Sequence, residues 1–289
     1  MPIEDTRSLT VELPPAADTD SRRGDTNRHF GDVFSAYRSV RDLDLAGVRL
    51  VSDVLMSAAA QARPYRLLDV GTGTGRYLEL VSQHLSSTLA ADICPMGLDR
   101  SPAMVGQARR LNGGAYPAAS HLVGAVETLP FRAASCDAIT SFNAVHHFDL
   151  ARFVSEASRV LTPSGFLVLY TRTAEQNRDT IWGRYFPEFA ARETRLHSVS
   201  AFRRALDATH AFTSVRVQSI PWRVTTSLSR LVEQVAAYHY STFRFYSPSG
   251  LQTALDTFQT RVRDVFSDCS RITFDNDHLL VVAQRAASV

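Results

Sequence analysis

The sequence contains no lysine, and all 31 of its basic residues are arginines. This absence excludes a lysine Schiff base, and with it ordinary pyridoxal-phosphate chemistry. It also excludes a Walker-type phosphate loop, which requires its lysine. Cysteine is scarce as well. Cys94, Cys136 and Cys269 form no close pair in sequence, and this pattern fits a reducing compartment better than a disulfide framework.

Long apolar runs and strong net charge are also missing. No stretch approaches the roughly 18 apolar residues that a membrane span needs, and residues 1–5 lack the basic and apolar regions of a signal peptide. The net charge of +2 gives no electrostatic reason for a nucleic-acid partner. We therefore expect a cytoplasmic protein that binds neither nucleic acid nor a membrane.

What is present is an alternation of two hydrophobic periods. Short apolar runs predict strands at residues 65–70, 94–99, 121–124, 136–142, 166–170, 214–220 and 278–283. Helical spacing of apolar residues lies between most of them. Because strands alternate with helices, the sequence predicts an open, doubly wound α/β sheet whose ligands bind at the carboxyl ends of the strands.

A glycine-rich turn follows the first predicted strand. Gly71, Gly73 and Gly75 allow a tight turn and a close approach of ligand to backbone N–H groups. A dinucleotide fingerprint would place its third glycine at position 76, which is Arg76 and would crowd a pyrophosphate. Asp69, two places before the first glycine, suits a cationic ligand group. A nicotinamide dehydrogenase is therefore disfavoured.

Asp99 stands at the end of the second predicted strand. A carboxylate in this position can accept hydrogen bonds from both ribose hydroxyls of a nucleoside. The alternative is a charge at the start of the next helix, ahead of Ser101 and Pro102.

Five stretches together resemble the class I S-adenosylmethionine-dependent methyltransferases, in particular the methyltransferase type 11 group. They are LLDVGTGTGRYLELV (67–81), GLDRSPAMVGQARR (97–110), VETLPF (126–131), CDAITSFNAVHHF (136–148) and SRVLTPSGFLVLY (158–170). They occur in the family order. The resemblance implies a Rossmann-like, seven-stranded sheet, mostly parallel with an antiparallel last strand, and helical lid insertions.

Composition, hydrophobic periodicity and the resemblance together predict a division of the chain. Residues 1–27 would be a disordered tail and residues 28–62 an N-terminal helical lid. Residues 63–220 and 270–285 would form the cofactor-binding core, with an aromatic insertion at about 174–198. Residues 221–269 would cap the acceptor.

The family pattern implies S-adenosylmethionine as the cofactor and assigns it residues by position. Gly71, Thr72 and Gly73 would line its amino-acid moiety, Asp69 would hold its ammonium directly or through water, and Asp99 would bind the ribose. Further residues implied for the cofactor are Tyr37, Arg38, Gly75, Arg100, Met104, Val126, Glu127, Asn143 and Ala144.

Each of these further residues has an implied place. Tyr37 and Arg38 resemble lid residues that close over the cofactor carboxylate, and Arg100 and Met104 would flank the adenine. Asn143 and Ala144 would present backbone groups beside the sulfonium.

One position departs from the family pattern. The usual aspartate that accepts from the adenine amino group is replaced by Ala125. Adenine recognition would then rest on main-chain groups around Val126 and Glu127, or on a side chain from elsewhere.

The candidate bases are His146 and His147, which follow the fourth predicted strand. A base is required only if the acceptor atom is protonated at the working pH, and either imidazole can titrate near neutrality. The alternative is that one ring packs under the loop and hydrogen-bonds a backbone carbonyl. No paired Asp and His spacing stands out, so we expect no metal.

Aromatic residues are concentrated beyond the fifth predicted strand. The expected acceptor-binding residues are Tyr170, Arg172, Trp182, Tyr185, Tyr240 and Phe243. They suggest a large, flat or apolar acceptor. Lid core or a homodimer interface would explain the same aromatic residues.

The favoured function is methyl transfer to a small-molecule acceptor, such as a specialised natural product. A macromolecule methyltransferase acting on RNA or protein and a non-methylating protein that binds S-adenosylmethionine remain as alternatives.

Overall fold

The computed structural model describes residues 44–56, 64–89, 92–112 and 118–287. The expected tail at 1–27 and the expected cofactor residues Tyr37 and Arg38 lie outside the described residues. Of the expected N-terminal lid, helix α1 (Leu45–Met56) is described.

Seven strands of the described chain form one sheet. They are β1 (Tyr65–Val70), β2 (Ile93–Asp99), β3 (Ser120–Val123), β4 (Cys136–Phe142), β5 (Leu161–Thr171), β6 (Phe212–Ile220) and β9 (His278–Arg285). Their order is β3-β2-β1-β4-β5-β9-β6. β9 runs antiparallel to both of its neighbours, while the pairs from β3 to β5 are parallel. The predicted doubly wound sheet with an antiparallel last strand is confirmed.

Helices cover both faces of this sheet because successive side chains of a strand point to opposite sides. Leu68 of β1 belongs to the hydrophobic core that contains Phe153 of α4 (Leu150–Val160). Leu67, its neighbour, belongs to a second core with Val51 of α1. The remaining helices around the sheet are α2 (Arg76–Leu89), α3 (Pro102–Asn112) and α8 (Val199–Asp207).

A third hydrophobic core lies outside the sheet and defines the lid. The lid helices are α5 (Ala174–Asp179), α6 (Ile181–Tyr185), α7 (Phe189–Arg192), α9 (Leu228–Ala236) and α10 (Pro248–Val265). A two-stranded antiparallel ribbon of β7 (Arg223–Thr226) and β8 (Ile272–Asp275) accompanies them. Side chains of both expected insertions share this core, including Trp182, Phe186, Phe243 and Phe258.

The ribbon corrects one predicted boundary. β8 falls in the segment 270–285 that the sequence assigns to the sheet, but it pairs with β7 and not with a strand of the sheet. The chain turns between Asp275 and His278, where the backbone N–H of Asn276 donates to the carbonyl of Trp222 at 2.7 Å. Only the part from His278 onward enters the large sheet.

Local capping explains where several helices begin. Asp149 accepts from the backbone N–H of Arg152 at 3.2 Å at the start of α4. Ser247 caps α10. Pro248 follows it in the first turn, where a backbone N–H, which proline lacks, would have no partner within the helix. None of the helices that the structure describes combines the length and apolarity needed to traverse a lipid bilayer.

Candidate active site

A cavity of about 180 Å³ lies at the carboxyl edge of the sheet. Asn143 directly follows β4 and Arg172 directly follows β5, and both line it. The same cavity is lined by Met104 of α3 and by Trp182 and Tyr240 of the lid. It therefore joins residues predicted for the cofactor to residues predicted for the acceptor, at the edge where an α/β sheet binds its ligands.

The glycine turn after β1 forms one wall of the site. Gly71, Gly73 and Gly75 all have positive φ, of 65°, 57° and 75°, which is costly for residues with a side chain. A Cβ atom on Gly71 would lie 2.4 Å from the Cβ of Ala144, whereas one on Gly73 would meet nothing within 4 Å. Gly71 thus serves packing against the loop after β4, and Gly73 faces open space that a ligand can enter.

Asp99 is tied to this turn. Its Oδ2 atom accepts from the backbone N–H of Gly73 at 2.8 Å, and its Oδ1 atom accepts from the N–H of Ser101 at 2.9 Å. Burial raises the pKa of Asp99. Each carboxylate oxygen can accept a second hydrogen bond, so Asp99 can hold the turn and still accept from ribose hydroxyls.

Asp69 lies beneath the turn and is 1% exposed. The Thr140 hydroxyl donates to its Oδ1 atom at 2.8 Å. Burial raises the pKa of Asp69 to about 7, against the opposing effect of this hydrogen bond. A carboxylate so deeply buried offers a cationic ligand its negative charge but little accessible surface.

The turn after β4 is strained at Asn143, whose φ is 52°. Its backbone N–H donates to the Tyr170 carbonyl at 2.7 Å, which links the ends of β4 and β5. Asn143 lines the cavity and Ala144 packs beside Gly71. The structure therefore brings the two residues predicted for the sulfonium end together with the glycine turn.

The residues predicted near the adenine occupy different environments. Arg100 is exposed directly after β2, and Met104 is buried and lines the cavity. Val126 is buried in a short 3-10 helix (Val126–Thr128). The Glu127 carboxylate accepts from the backbone N–H of Asp149 at 3.1 Å, so this side chain is engaged with the start of α4.

His146 and His147 both line the cavity, with ring centroids 4.1 Å apart. The Nδ1 atom of His147 lies 3.3 Å from the Arg195 guanidinium. Partial desolvation and this positive charge lower the pKa of His147, although the residue keeps more than a third of its surface exposed. His147 is therefore neutral at pH 7, the state in which an imidazole can accept a proton.

Arg195 was not singled out by sequence reasoning, and it connects His147 to the lid. Its Nε atom donates to Glu193 at 2.8 Å and its Nη2 atom donates to the Ser241 hydroxyl at 2.9 Å. Glu193 is buried and also accepts from Thr242 at 2.6 Å. No sequence signal marks Arg195, because it is one of 31 arginines.

Three of the residues predicted for the acceptor line the cavity, namely Arg172, Trp182 and Tyr240, and three do not. Tyr170 is buried, its hydroxyl donates to Asp44, and its ring stacks on His278 at 4.7 Å.

Phe243 is fully buried in the lid core. Tyr185 packs at the margin of that core, with its ring 5.9 Å from the ring of Phe266. These two rings and Tyr170 lie away from the cavity because each packs against another element.

Several lining residues were missed because they come from the second insertion and from its return to the sheet. They include Trp222, Gln234, Asn276 and His278. Their partners are distant in sequence, so no local pattern marks them. Within the described residues, no group of three or more His, Cys, Asp or Glu is arranged to hold a metal ion.

The sheet order, the antiparallel β9 and the glycine turn beside open space give the chain the fold of a class I methyltransferase. Residues 68–169 match the family model of the methyltransferase domain. These residues form a methyltransferase domain, and S-adenosylmethionine is its cofactor.

Two curated relatives illustrate the range of similarity. An uncharacterised methyltransferase of Mycobacterium tuberculosis is 29% identical over 222 residues, covering 77% of this chain and 81% of that protein. A probable tRNA methyltransferase 9B of Bos taurus is 34% identical over 114 residues, covering 38% of this chain and 22% of that protein.

Among solved structures, the chain is similar in fold to a putative methyltransferase from an antibiotic biosynthesis pathway of Anabaena variabilis. The TM-score is 0.59 at 19% sequence identity, covering 81% of this chain and 96% of that one.

Proposed function

We propose that this enzyme transfers the methyl group of S-adenosylmethionine to a small, flat or apolar acceptor bound in the cavity beneath the lid. One observation carries the proposal. A single cavity of about 180 Å³ runs from Met104 and Asn143, on the cofactor side, to the aromatic residues Trp182, Trp222 and Tyr240. Aromatic walls with a few polar groups are typical of small-molecule sites.

The residues present fit the cofactor. Open space beside Gly73 leaves room for a ligand against the backbone, and Asp99, fixed by two backbone N–H groups, can accept from ribose hydroxyls. The negative charge of Asp69 favours a cationic amino-acid moiety. We propose these residues, with Thr72, Gly75, Asn143 and Ala144, as the cofactor site.

When bound, the cofactor supplies a methyl group already activated by a positive sulfonium. The chain's own residues then have to position the acceptor and exclude water. The lid aromatics do both, since they enclose the acceptor and supply flat apolar surfaces. His147, neutral at pH 7, and His146 beside it can accept a proton from a hydroxyl or amine acceptor.

The proposed small-molecule acceptors include the products of specialised metabolism. The solved structure from an antibiotic biosynthesis pathway is similar to this chain in fold, and its support is limited to the fold. The competing assignment is an RNA acceptor. The similarity to a probable tRNA methyltransferase favours it. That similarity covers 38% of this chain, and the cavity of about 180 Å³ between sheet edge and lid favours the smaller acceptor.

A labelling assay tests the proposal. Purified protein is incubated with methyl-labelled S-adenosylmethionine and a cell extract, and small molecules are then separated from macromolecules. We expect label in the small-molecule fraction. Label in RNA or protein would transfer the assignment to a macromolecule, and no label in any fraction from a protein that binds the cofactor would favour the non-methylating alternative.

A further inference from the structure

The cavity contains a buried positive charge that forms no ion pair with any residue the structure describes. Arg172 is 6% exposed and lines the cavity. Its guanidinium has three neighbours at hydrogen-bond distance: the Tyr240 hydroxyl at 3.2 Å, Asn276 Oδ1 at 2.8 Å and His278 Nε2 at 3.3 Å. Each of these neighbours is neutral when it accepts. Its Nε atom is buried with no hydrogen-bond partner among the described residues.

Three other arginines of the lid region behave differently. Arg195 pairs with Glu193, Arg192 with Glu188 and Arg178 with Glu175. Burial makes such a pair more necessary, because an isolated buried cation is strongly disfavoured. Arg172 is more deeply buried than any of them and, within the described chain, has no carboxylate partner.

The acidic groups of the same cavity are engaged elsewhere. Asp44 accepts from the Tyr170 hydroxyl and from the backbone N–H of Gly47 at 2.8 Å. Glu193 is bound by Arg195 and Thr242. Neither carboxylate lies within ion-pair distance of Arg172, so the cavity keeps a positive charge that a ligand can neutralise.

The position of Arg172 relates this charge to the reaction. β4 and β5 are paired with Phe142 opposite Tyr170, so Asn143 and Arg172 leave adjacent strands at the same edge. Paired strands are about 4.8 Å apart. An anion on Arg172 would therefore lie close to the part of the cavity next to Asn143, with Tyr240 and Trp182 at its sides.

We propose that Arg172 is the recognition site for an anionic group of the acceptor, which makes the acceptor an aromatic acid. This inference rests on the proposed small-molecule function and narrows its substrate class. The guanidinium can form two charge-assisted hydrogen bonds to a carboxylate. The surrounding rings bind the aromatic part.

The chain provides its own reporter of binding. It contains two tryptophans, Trp182 and Trp222, and both line the cavity. Tryptophan fluorescence of the protein saturated with S-adenosylhomocysteine therefore reports occupancy of the acceptor site without any methyl transfer. The probes are benzoate and 1-naphthoate, each compared with its neutral carboxamide.

We expect both carboxylates to bind the wild-type protein at least about tenfold more tightly than their carboxamides. Arg172→Gln should abolish this preference. Arg172→Lys, which keeps the charge but loses the planar fork, should retain part of it. Arg178→Gln is the matched control, since Arg178 is exposed and pairs with Glu175, and it should preserve the full preference.

Equal binding of carboxylates and carboxamides by the wild-type protein, or no saturable binding of either carboxylate, would overturn the proposal without any variant. A preference that survives in folded Arg172→Gln would also overturn it. The carboxylate that Arg172 binds belongs either to the acceptor or to the cofactor, and the affinity for the cofactor distinguishes the two cases. If Arg172→Gln weakens S-adenosylhomocysteine binding in parallel, Arg172 holds the cofactor's own carboxylate instead.

This experiment and the labelling assay fail independently. A carboxylate preference combined with label in RNA would reject the small-molecule function and leave the anion site standing. Label in small molecules without a carboxylate preference would do the reverse.

Discussion

At the scale of single residues, two glycines of one turn perform different tasks. Gly71 and Gly73 have similar positive φ values, so a side chain at either position carries a similar backbone cost of about 1–2 kcal/mol. Only Gly71 faces other atoms, with the Ala144 Cβ and Phe148 Cζ atoms at 2.4 and 3.0 Å from an added Cβ. The packing of the fold therefore requires glycine at position 71, and space for the ligand requires it at position 73.

We expect Gly73→Ala to fold with a stability loss of about 1–2 kcal/mol and to lose at least about tenfold in affinity for S-adenosylhomocysteine. Gly71→Ala should lose considerably more stability because its Cβ collides with Ala144. Urea denaturation and calorimetric titration of both variants measure the two effects. Wild-type affinity in Gly73→Ala would contradict the placement of the cofactor beside this turn.

The buried carboxyl of Asp69 predicts a pH dependence of stability. Its pKa is raised from 3.8 to about 7 by burial, so the folded-state value lies above the unfolded one. The associated stability is fully present below about pH 4 and is lost as the pH rises towards 7, because the unfolded chain ionises this group first. Asp69→Asn removes this dependence and keeps an oxygen to accept from Thr140.

In the absence of cofactor, we therefore expect the free energy of unfolding of Asp69→Asn to rise relative to that of the wild type between pH 4 and pH 7. The gain should be on the order of 3–4 kcal/mol, and it should level off above pH 7. Affinity for S-adenosylhomocysteine should change in the opposite direction, since the negative charge is gone. A constant difference across this pH range would show that Asp69 ionises normally in the folded protein.

At the scale of elements, α10 is the helix on which the lid core depends. Phe258 is fully buried there and stacks on Trp182 with ring centroids 5.0 Å apart. The lid core is separate from the two cores of the sheet. Damage to Phe258 should therefore affect the acceptor side of the cavity more than the cofactor side.

Phe258→Ala should destabilise the lid by about 3–5 kcal/mol and abolish the fluorescence response to aromatic acids, while S-adenosylhomocysteine affinity stays within about threefold. Thr260→Ala on the exposed face of the same helix is the control and should change stability by less than about 0.5 kcal/mol. Equal loss of cofactor and acceptor binding in Phe258→Ala would show that lid and sheet act as one unit.

The sequence predicted elements best where the pattern is local. The predicted strand at 136–142 coincides with β4. The segment 221–269 was expected to cap the acceptor, and the structure places α9 and α10 in it. The buried apolar residues of α9 recur at helical spacing, so this helix has a local signal. The packing of both helices on residues 181–189 has none, because the partners are distant in sequence.

The same reason limits what could be predicted of the site. The sequence pointed to Arg172 as one of six expected acceptor-binding residues. Its distinguishing property, the absence of a carboxylate partner among the described residues, depends on Asn276 and His278, more than 100 positions away. Likewise, Tyr170 has the sequence context of a ligand residue, but its contact with Asp44 makes it part of the protein interior.

At the scale of the whole molecule, the sheet and the lid contribute different residues to the cavity. The sheet edge holds the residues proposed for the cofactor, at the ends of β1, β2 and β4. The two insertions bring aromatic surfaces and the Arg195 link over the same edge. This division allows the acceptor to be changed through the lid while the cofactor site stays constant, as expected when loops on a rigid scaffold carry specificity.

The position of β9 also has a consequence for synthesis on the ribosome. β9 follows every other strand of the sheet in sequence, yet it lies between β5 and β6. Until residues 278–285 have left the exit tunnel, β5 lacks one of its two neighbours and β6 lacks the strand that joins it to the sheet. The nascent chain must therefore be kept from pairing these open edges with other molecules, and a ribosome that stalls before residue 278 releases a product that cannot close its sheet.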